Sequence, residues 1–237
     1  MKNSEVAIIV FHEYLGSNKT MKHINSLTQK GFVIECPNIL GHGTRYEDLE
    51  NVKYTDWINQ IEEIYFNLRN NYKAIFVVGF SFGGLLALYL AQKYSNQITG
   101  IILINNFLFP TLCIYINSFY KKFVRFMPNL KYDMKDQKLN DYVFYRKISS
   151  KNCAEVIKLS KIVRKNIKKC TVPTLIFKSK KTHIFDNRNV TKTYKSIMSK
   201  HKKLVYLNNT HQADVLDFDK DMIKENIIKF IEGVYYL

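Results

Sequence analysis

Five residues, Gly79-Phe80-Ser81-Phe82-Gly83, join two apolar runs of different character. Ala74-Ile75-Phe76-Val77-Val78 precedes them, rich in β-branched and aromatic residues and of strand length. Gly84-Leu85-Leu86-Ala87-Leu88-Tyr89-Leu90-Ala91 follows and reads as a buried helix. A G-x-S-x-G turn between a strand and a helix is so tight that the serine is held in a strained conformation, and small flanking residues are needed where other chain comes close. It presents the hydroxyl at a helix N-terminus, beside backbone N–H groups that lack intrahelical acceptors and can hold a developing oxyanion. With 9 glycines and 12 serines in 237 residues, chance supplies roughly 0.02 such pentapeptides. Ser81 is therefore read as a nucleophile rather than as an incidental serine in a glycine-rich turn.

The rest of the chain repeats this alternation. Strand-like runs fall at Val6–Phe11, 32–36, 74–78, Gly100–Ile104, 174–178 and 204–207, with helical periodicities between them. Trp57, Ile58, Ile61, Ile64, Tyr65 and Leu68 share one helix face. An earlier helix over 20–30 stops at Gly31, and Ile223, Ile227, Phe230, Ile231 and Val234 form the core stripe of the last. The pattern predicts an α/β fold, a mostly parallel sheet with helices on both faces. It breaks between 107 and 169, where no convincing strand occurs. Residues 121–169 carry 15 Lys or Arg against 4 Asp or Glu, which accounts for +11 of the net +16. Since the sheet resumes at Val172-Pro173-Thr174, we expect a core made of 1–106 and 170–237 and a small, basic, helical cap at 107–169.

Several classes of function are not expected. The four cysteines, Cys36, Cys113, Cys153 and Cys170, have no C-x-x-C spacing, so neither a zinc knuckle nor a redox pair is suggested, and thiols fit a reducing compartment. No zincin spacing, G-x-G-x-x-G fingerprint or Walker loop occurs, so no metal or nucleotide cofactor is expected. The longest apolar stretch, 107–116, contains Pro110 and falls short of the ~20 residues a membrane span needs. Without a signal-peptide pattern at the N-terminus, the chain reads as cytoplasmic.

An activated serine needs a base, an orienting acid and oxyanion donors. Of the six histidines, His211 is the leading base. It follows the last strand candidate after Asn208-Asn209-Thr210, at the same C-terminal sheet edge from which the 79–83 turn emerges. His23 and His201 read as surface residues.

Four features together resemble the small carboxylesterases and monoacylglycerol lipases of the α/β-hydrolase family over nearly the whole chain. Pro37-Asn38-Ile39-Leu40-Gly41-His42-Gly43 matches the family's P-x-x-x-G-H-G loop. Asp56-Trp57 opens the following helix, 79–84 is the nucleophile elbow, and Thr210-His211 matches the loop that carries the base. The resemblance implies that His42 is a structural loop residue, that His12 opens the oxyanion loop, and that the backbone N–H groups of Tyr14 and Phe82 are the oxyanion donors.

Two departures stand out. Where the family commonly has glycine after the loop histidine, this chain has Glu13. The expectation is that its side chain points to solvent; a carboxylate facing the site would instead repel the oxyanion. At the family's acid position stands Thr182, and losing the acid from such a triad typically costs about 10⁴ in turnover. Asp186, four residues on, is the candidate acid in its place, with a helix-cap aspartate as the plain reading. The order Ser81, Asp186, His211 matches the fold's order of nucleophile, acid and base.

The expected function is hydrolysis of carboxylic esters of apolar acyl chains by a serine nucleophile. The competing expectation is a degenerate hydrolase that keeps the pocket and binds a ligand or partner. The expected partner is a small-molecule acyl ester. Phe119-Tyr120-Lys121-Lys122-Phe123-Val124-Arg125-Phe126 interleaves aromatics with cations, and two readings stand for it. It is either the apolar roof of an acyl pocket with cations in solvent, ranked first, or a peripheral contact with an anionic membrane. No nucleic-acid-binding module is recognised.

Overall fold

In the computed structural model, residues 2–129, 144–180, 188–208, 216 and 219–235 are described. Six strands form one sheet: β1 (Val6–Phe11), β2 (Val33–Glu35), β3 (Ala74–Phe80), β4 (Gly100–Ile104), β7 (Thr174–Ser179) and β8 (Lys202–Leu207). Their order is β2-β1-β3-β4-β7-β8, and every neighbouring pair is parallel.

The central strands read as unbroken apolar runs because both faces of the sheet are covered. Ile9, Phe11, Ile75, Val77, Ile101, Leu103 and Ile176 lie in one core, with Trp57, Ile61 and Tyr65 of α2 (Tyr54–Arg69) and nearly all of α3 (Phe82–Lys93). The alternate residues Val6, Ile8, Val10, Phe76, Val78, Ile102, Ile104, Leu175 and Phe177 form the other core. There they meet Met21, Ile24 and Leu27, and Ile223, Ile227 and Ile231 of α7 (Lys220–Tyr235). The period-2 alternation of side chains along a strand makes this division.

The six predicted strands are all present, with β3 extended by Gly79 and Phe80 and β8 starting at Lys202. The helix expected over 20–30 is irregular. A 3-10 turn (Asn18–Met21), one α-turn α1 (Lys22–Asn25) and a second 3-10 stretch (Ser26–Lys30) share the span, ended by Gly31 in the left-handed region (φ 88°).

Between β4 and β7 the chain leaves the sheet. It builds α4 (Leu112–Phe119), a short antiparallel pair of β5 (Phe126–Pro128) and β6 (Lys147–Ser149), and α5 (Ser150–Lys165). The two strands were not expected. Each is three residues long, too short to give a periodic signal. Helix α6 (Arg188–Ser196) then lies between β7 and β8 in sequence. Ser149 caps α5, its hydroxyl accepting from the Asn152 N–H at 3.3 Å.

The outward face of α4 departs from the favoured expectation of an apolar roof turned inward. Ile114 and Asn117 are the buried residues of α4, whereas Leu112 is 74% exposed and Phe119 76%, with Phe123 just beyond it at 83%. Lys121 and Lys122 are exposed beside them.

Candidate active site

Strand β3 runs into the elbow and α3 leaves it. Ser81 sits at the helix N-cap with φ 51° and ψ −110°, a conformation that costs a non-glycine residue about 1–3 kcal/mol. Three backbone hydrogen bonds hold it there. The Ser81 N–H donates to the Ile104 carbonyl (3.0 Å), and the Ser81 carbonyl accepts from Gly84 (3.0 Å) and Phe107 (2.9 Å). Ile104 and Phe107 belong to the end of β4 and the loop after it, so the neighbouring strand clamps the turn.

The flanking glycines answer to close approach rather than to backbone conformation. A methyl on Gly79 would lie 2.5 Å from the Gly83 carbonyl carbon and the Gly84 nitrogen. One on Gly83 would lie 2.5 Å from the carbonyl carbon of Phe11, the last residue of β1. Helix α3 is thereby pressed against the exit of β1, where the next loop begins.

That loop is His12-Glu13-Tyr14-Leu15-Gly16. His12 is fully buried, and its ring bridges two chain segments. Nε2 accepts from the Ile39 N–H at 3.0 Å, which leaves the proton on Nδ1 to be donated to the Glu13 carbonyl at 2.8 Å. Burial, and then the neighbouring His42, push its pKa down to about 3, so it is neutral and serves as a strut. With the Glu13 carbonyl held by His12, peptide planarity turns the Tyr14 N–H the opposite way. Neither that N–H nor the Phe82 N–H at the start of α3 donates to another described group. The two residues are neighbours, their ring centroids 5.6 Å apart.

Glu13 contradicts the expectation of a solvent-facing side chain. It is 8% exposed, and its carboxyl folds under the loop onto Gly16 and Thr20, where the Thr20 hydroxyl lies 2.8 Å from Oε2. Burial pushes its pKa up to about 7. No glycine is required at this position, because the left-handed residue of the loop is Leu15 (φ 66°).

His42 is buried among aromatic rings. Its Nδ1 lies 3.2 Å from the Leu40 carbonyl. Its ring stacks between Phe82 (22° interplanar, 6.1 Å) and Tyr145 (13°, 6.4 Å), and burial lowers its pKa to about 4. This agrees with a structural role. Leu40 also accepts from the Trp57 indole at 3.0 Å, which ties the loop to α2.

Three supporting residues carried no local signal in the sequence. The Tyr145 hydroxyl, just before β6, donates to the Gly41 carbonyl (2.8 Å) and accepts from the Thr44 N–H (3.0 Å). Asn152 of α5 accepts from the Tyr14 hydroxyl (2.7 Å) and donates to the Val52 carbonyl (3.0 Å). Asn105, left-handed at φ 42°, accepts from the Ser179 N–H (2.9 Å) and donates to its hydroxyl (2.7 Å), fixing the end of β7. Each looks like an ordinary polar residue until a partner tens of residues away is known.

Of the expected site residues, Tyr14 packs its ring against that of Phe82, the residue that follows Ser81 in the chain. His211, Asp186 and Thr182 lie outside the described residues. The four cysteines are free thiols. Among the described residues, no helix is long and apolar enough to cross a membrane.

Known proteins resemble this chain in sequence and in fold. Over 231 residues the chain is 28% identical to a thermostable monoacylglycerol lipase of Bacillus sp. (strain H-257), covering 97% of this chain and 91% of that one. It is 22% identical over 242 residues to a carboxylesterase of Bacillus subtilis (strain 168), covering 98% and 94%. Among solved structures, one from work on the metagenome-derived lipolytic enzymes LipS and LipT superposes with a TM-score of 0.88. It does so at 23% identity over 97% of this chain and 94% of the other. The family described as serine aminopeptidase, S33, matches residues 2–212. With that span and an all-parallel six-stranded sheet carrying the serine elbow, the chain belongs to the S33 family of α/β-hydrolases.

Proposed function

We propose that this protein is a serine hydrolase that cleaves carboxylic esters of apolar acyl chains through an acyl-enzyme. The observation that carries the proposal is the elbow. A strained serine at the start of a buried helix adjoins two backbone N–H groups, those of Tyr14 and Phe82, that have no described acceptor. Kinship with a monoacylglycerol lipase and a carboxylesterase supports ester over amide as the bond attacked.

In this reading the Ser81 hydroxyl attacks the acyl carbonyl while His211 takes its proton. The resulting oxyanion is held by the Tyr14 and Phe82 amides, whose dipoles are already oriented and need not reorganise. Collapse expels the alcohol, which receives the proton from His211. Water, activated by the same imidazole, then releases the carboxylic acid and restores Ser81. Asp186 orients the imidazole in place of the absent acid at Thr182. Residues 1–106 and 170–237 are the catalytic core and 107–169 a cap over it.

A fluorophosphonate probe tests the central claim. Rapid labelling that disappears in Ser81→Ala is expected, and a folded protein that resists labelling would make it a binding protein instead. For the acid, Asp186→Asn should lower ester turnover; unchanged turnover would withdraw that residue. Comparing a p-nitrophenyl ester with an amino-acid p-nitroanilide separates esterase from aminopeptidase.

The partner proposed beyond the substrate is an anionic lipid surface. Leu112, Ile116, Phe119 and Phe123 are exposed on and just beyond α4, with Lys121 and Lys122 beside them, so apolar side chains can enter the interface while the ammonium groups meet phosphates. Binding to phosphatidylglycerol vesicles but not to phosphatidylcholine vesicles is expected, and Phe119→Ser with Phe123→Ser should abolish it while leaving hydrolysis of a soluble short-chain ester unchanged. A pair that binds as before but shifts acyl-length preference would instead make this face part of the acyl pocket.

A further inference from the structure

We infer that Glu13 is a positioning residue of the oxyanion loop that works as a neutral carboxylic acid, and that ionising it disables the Tyr14 donor. The inference rests on the reading of Tyr14 as an oxyanion donor and deepens it.

Thr20 has one proton for two short contacts. The buried Thr20 hydroxyl lies 2.7 Å from the Ser17 carbonyl and 2.8 Å from Glu13 Oε2. A hydroxyl has one proton and two lone pairs. When the carboxyl is ionised both neighbours are acceptors, so the one hydroxyl proton serves the Ser17 carbonyl or Oε2 but not both. The other short contact would then set lone pair against lone pair unless the carboxyl carries the second proton. A protonated Glu13 donates to Thr20, Thr20 donates to Ser17, and both short contacts are satisfied. The chain of bonds ties the loop's second residue to the turn that opens at Asn18.

The surroundings favour the neutral acid. The carboxyl packs so closely on Gly16 that a methyl there would lie 2.5 Å from Oε1. The titratable groups near it are the Cys36 thiol, following β2, and the neighbouring His12 imidazole. Burial, first of all, holds the thiol up at about 11, and His12 is neutral. Thr20 and Gly16 bring no charge, and among the described residues no cationic side chain bears on the carboxyl. Burial accordingly raises it to about 7, within the range in which esterases are assayed.

Glu13 sits at the hinge of the oxyanion loop. Its carbonyl is the group that His12 grips to aim the Tyr14 N–H. An ionised carboxylate there is a buried charge with no cation beside it among the described residues, held only by its own backbone N–H and the Thr20 hydroxyl, and the least costly relief is for the loop to swing out towards water, taking the Tyr14 amide with it. The sign is that of a raised acid: the working form persists below about pH 7 and is lost as pH rises through it.

Glu13→Gln keeps the shape and a neutral donor to Thr20 but cannot ionise. The ratio of its kcat/KM to that of the natural protein should rise about tenfold between pH 6 and pH 8, because the limb due to the catalytic base is common to both and cancels. A ratio constant within twofold overturns the inference. Carbon-13 NMR of carboxyl-labelled glutamates in the natural protein gives a second readout that does not depend on the variant folding. One resonance should titrate near pH 7, and all of them titrating below pH 5.5 overturns the inference too. A natural protein without Ser81-dependent turnover would refute the hydrolase reading, and the positioning role with it. The NMR titration would still show which form of Glu13 the fold holds.

Discussion

Replacing Gly83 by alanine tests whether the oxyanion site proposed for Tyr14 and Phe82 is set by the contact between α3 and the end of β1. The added methyl would stand 2.5 Å from the Phe11 carbonyl carbon, where ordinary contacts begin near 3.4 Å, so about 1 Å of movement is needed. The obstacle is backbone, which cannot rotate away as a long side chain could. On one side is α3, nearly every residue of which is buried; on the other is β1, paired on both edges. The displacement therefore falls on the junction of β1 with the loop that begins at His12, and so on the distance between the Tyr14 and Phe82 amides. A misplacement of that size costs about 10²-fold in rate, and overpacking of this kind destabilises by about 1–3 kcal/mol. The assay is kcat and KM on a soluble p-nitrophenyl ester, with denaturant unfolding alongside. The expected result is a fall in kcat with KM little changed, in a protein that remains folded. A Gly83→Ala enzyme within threefold of the natural kcat would refute the idea that this contact sets the oxyanion geometry.

Tyr145→Phe keeps the ring that stacks on His42 but leaves the Gly41 carbonyl and the Thr44 N–H without their partner, for an expected loss of about 1–3 kcal/mol in denaturant unfolding. A loss below about 0.5 kcal/mol would mean that water replaces the hydroxyl. His12 and His42, held neutral with pKa values of about 3 and about 4, must each take up a proton on unfolding below the ordinary histidine value near 6.5. Stability should therefore fall by about 2 kcal/mol per histidine between pH 7 and pH 5, while Glu13, shifted the other way, returns about 2 kcal/mol over the same interval. His42→Gln should lessen the acid loss by about 2 kcal/mol, and an unchanged pH dependence in that variant would show that His42 is not buried as a neutral ring.

Most of the sheet was legible from local pattern. Runs such as Val6–Phe11 and Gly100–Ile104 are apolar throughout, and an apolar run of that length between turn signals can be satisfied only by burial on both faces. The irregular 3-10 and α stretches between Asn18 and Lys30 were read as one helix because 3-10 and α periods differ too little over so few residues. Strands β5 and β6 escaped notice because three residues cannot show a period.

The elbow and the form of the fold were encoded within about twenty consecutive residues, since an elbow is a local object: its strain, its glycines and its helix all belong to one segment. The state of Glu13 was not. Whether a carboxyl after the loop histidine faces water or lies under the loop depends on Thr20, Gly16 and the packing of β1 against α3, none of which adjoins it in a way that a pattern can register. Asn152 and Tyr145 gain their meaning across separations of 138 and 104 residues, from Tyr14 and Gly41. Covalent neighbours dictate conformation, but solvation and proton count are properties of a packed volume, and only the folded chain creates that volume.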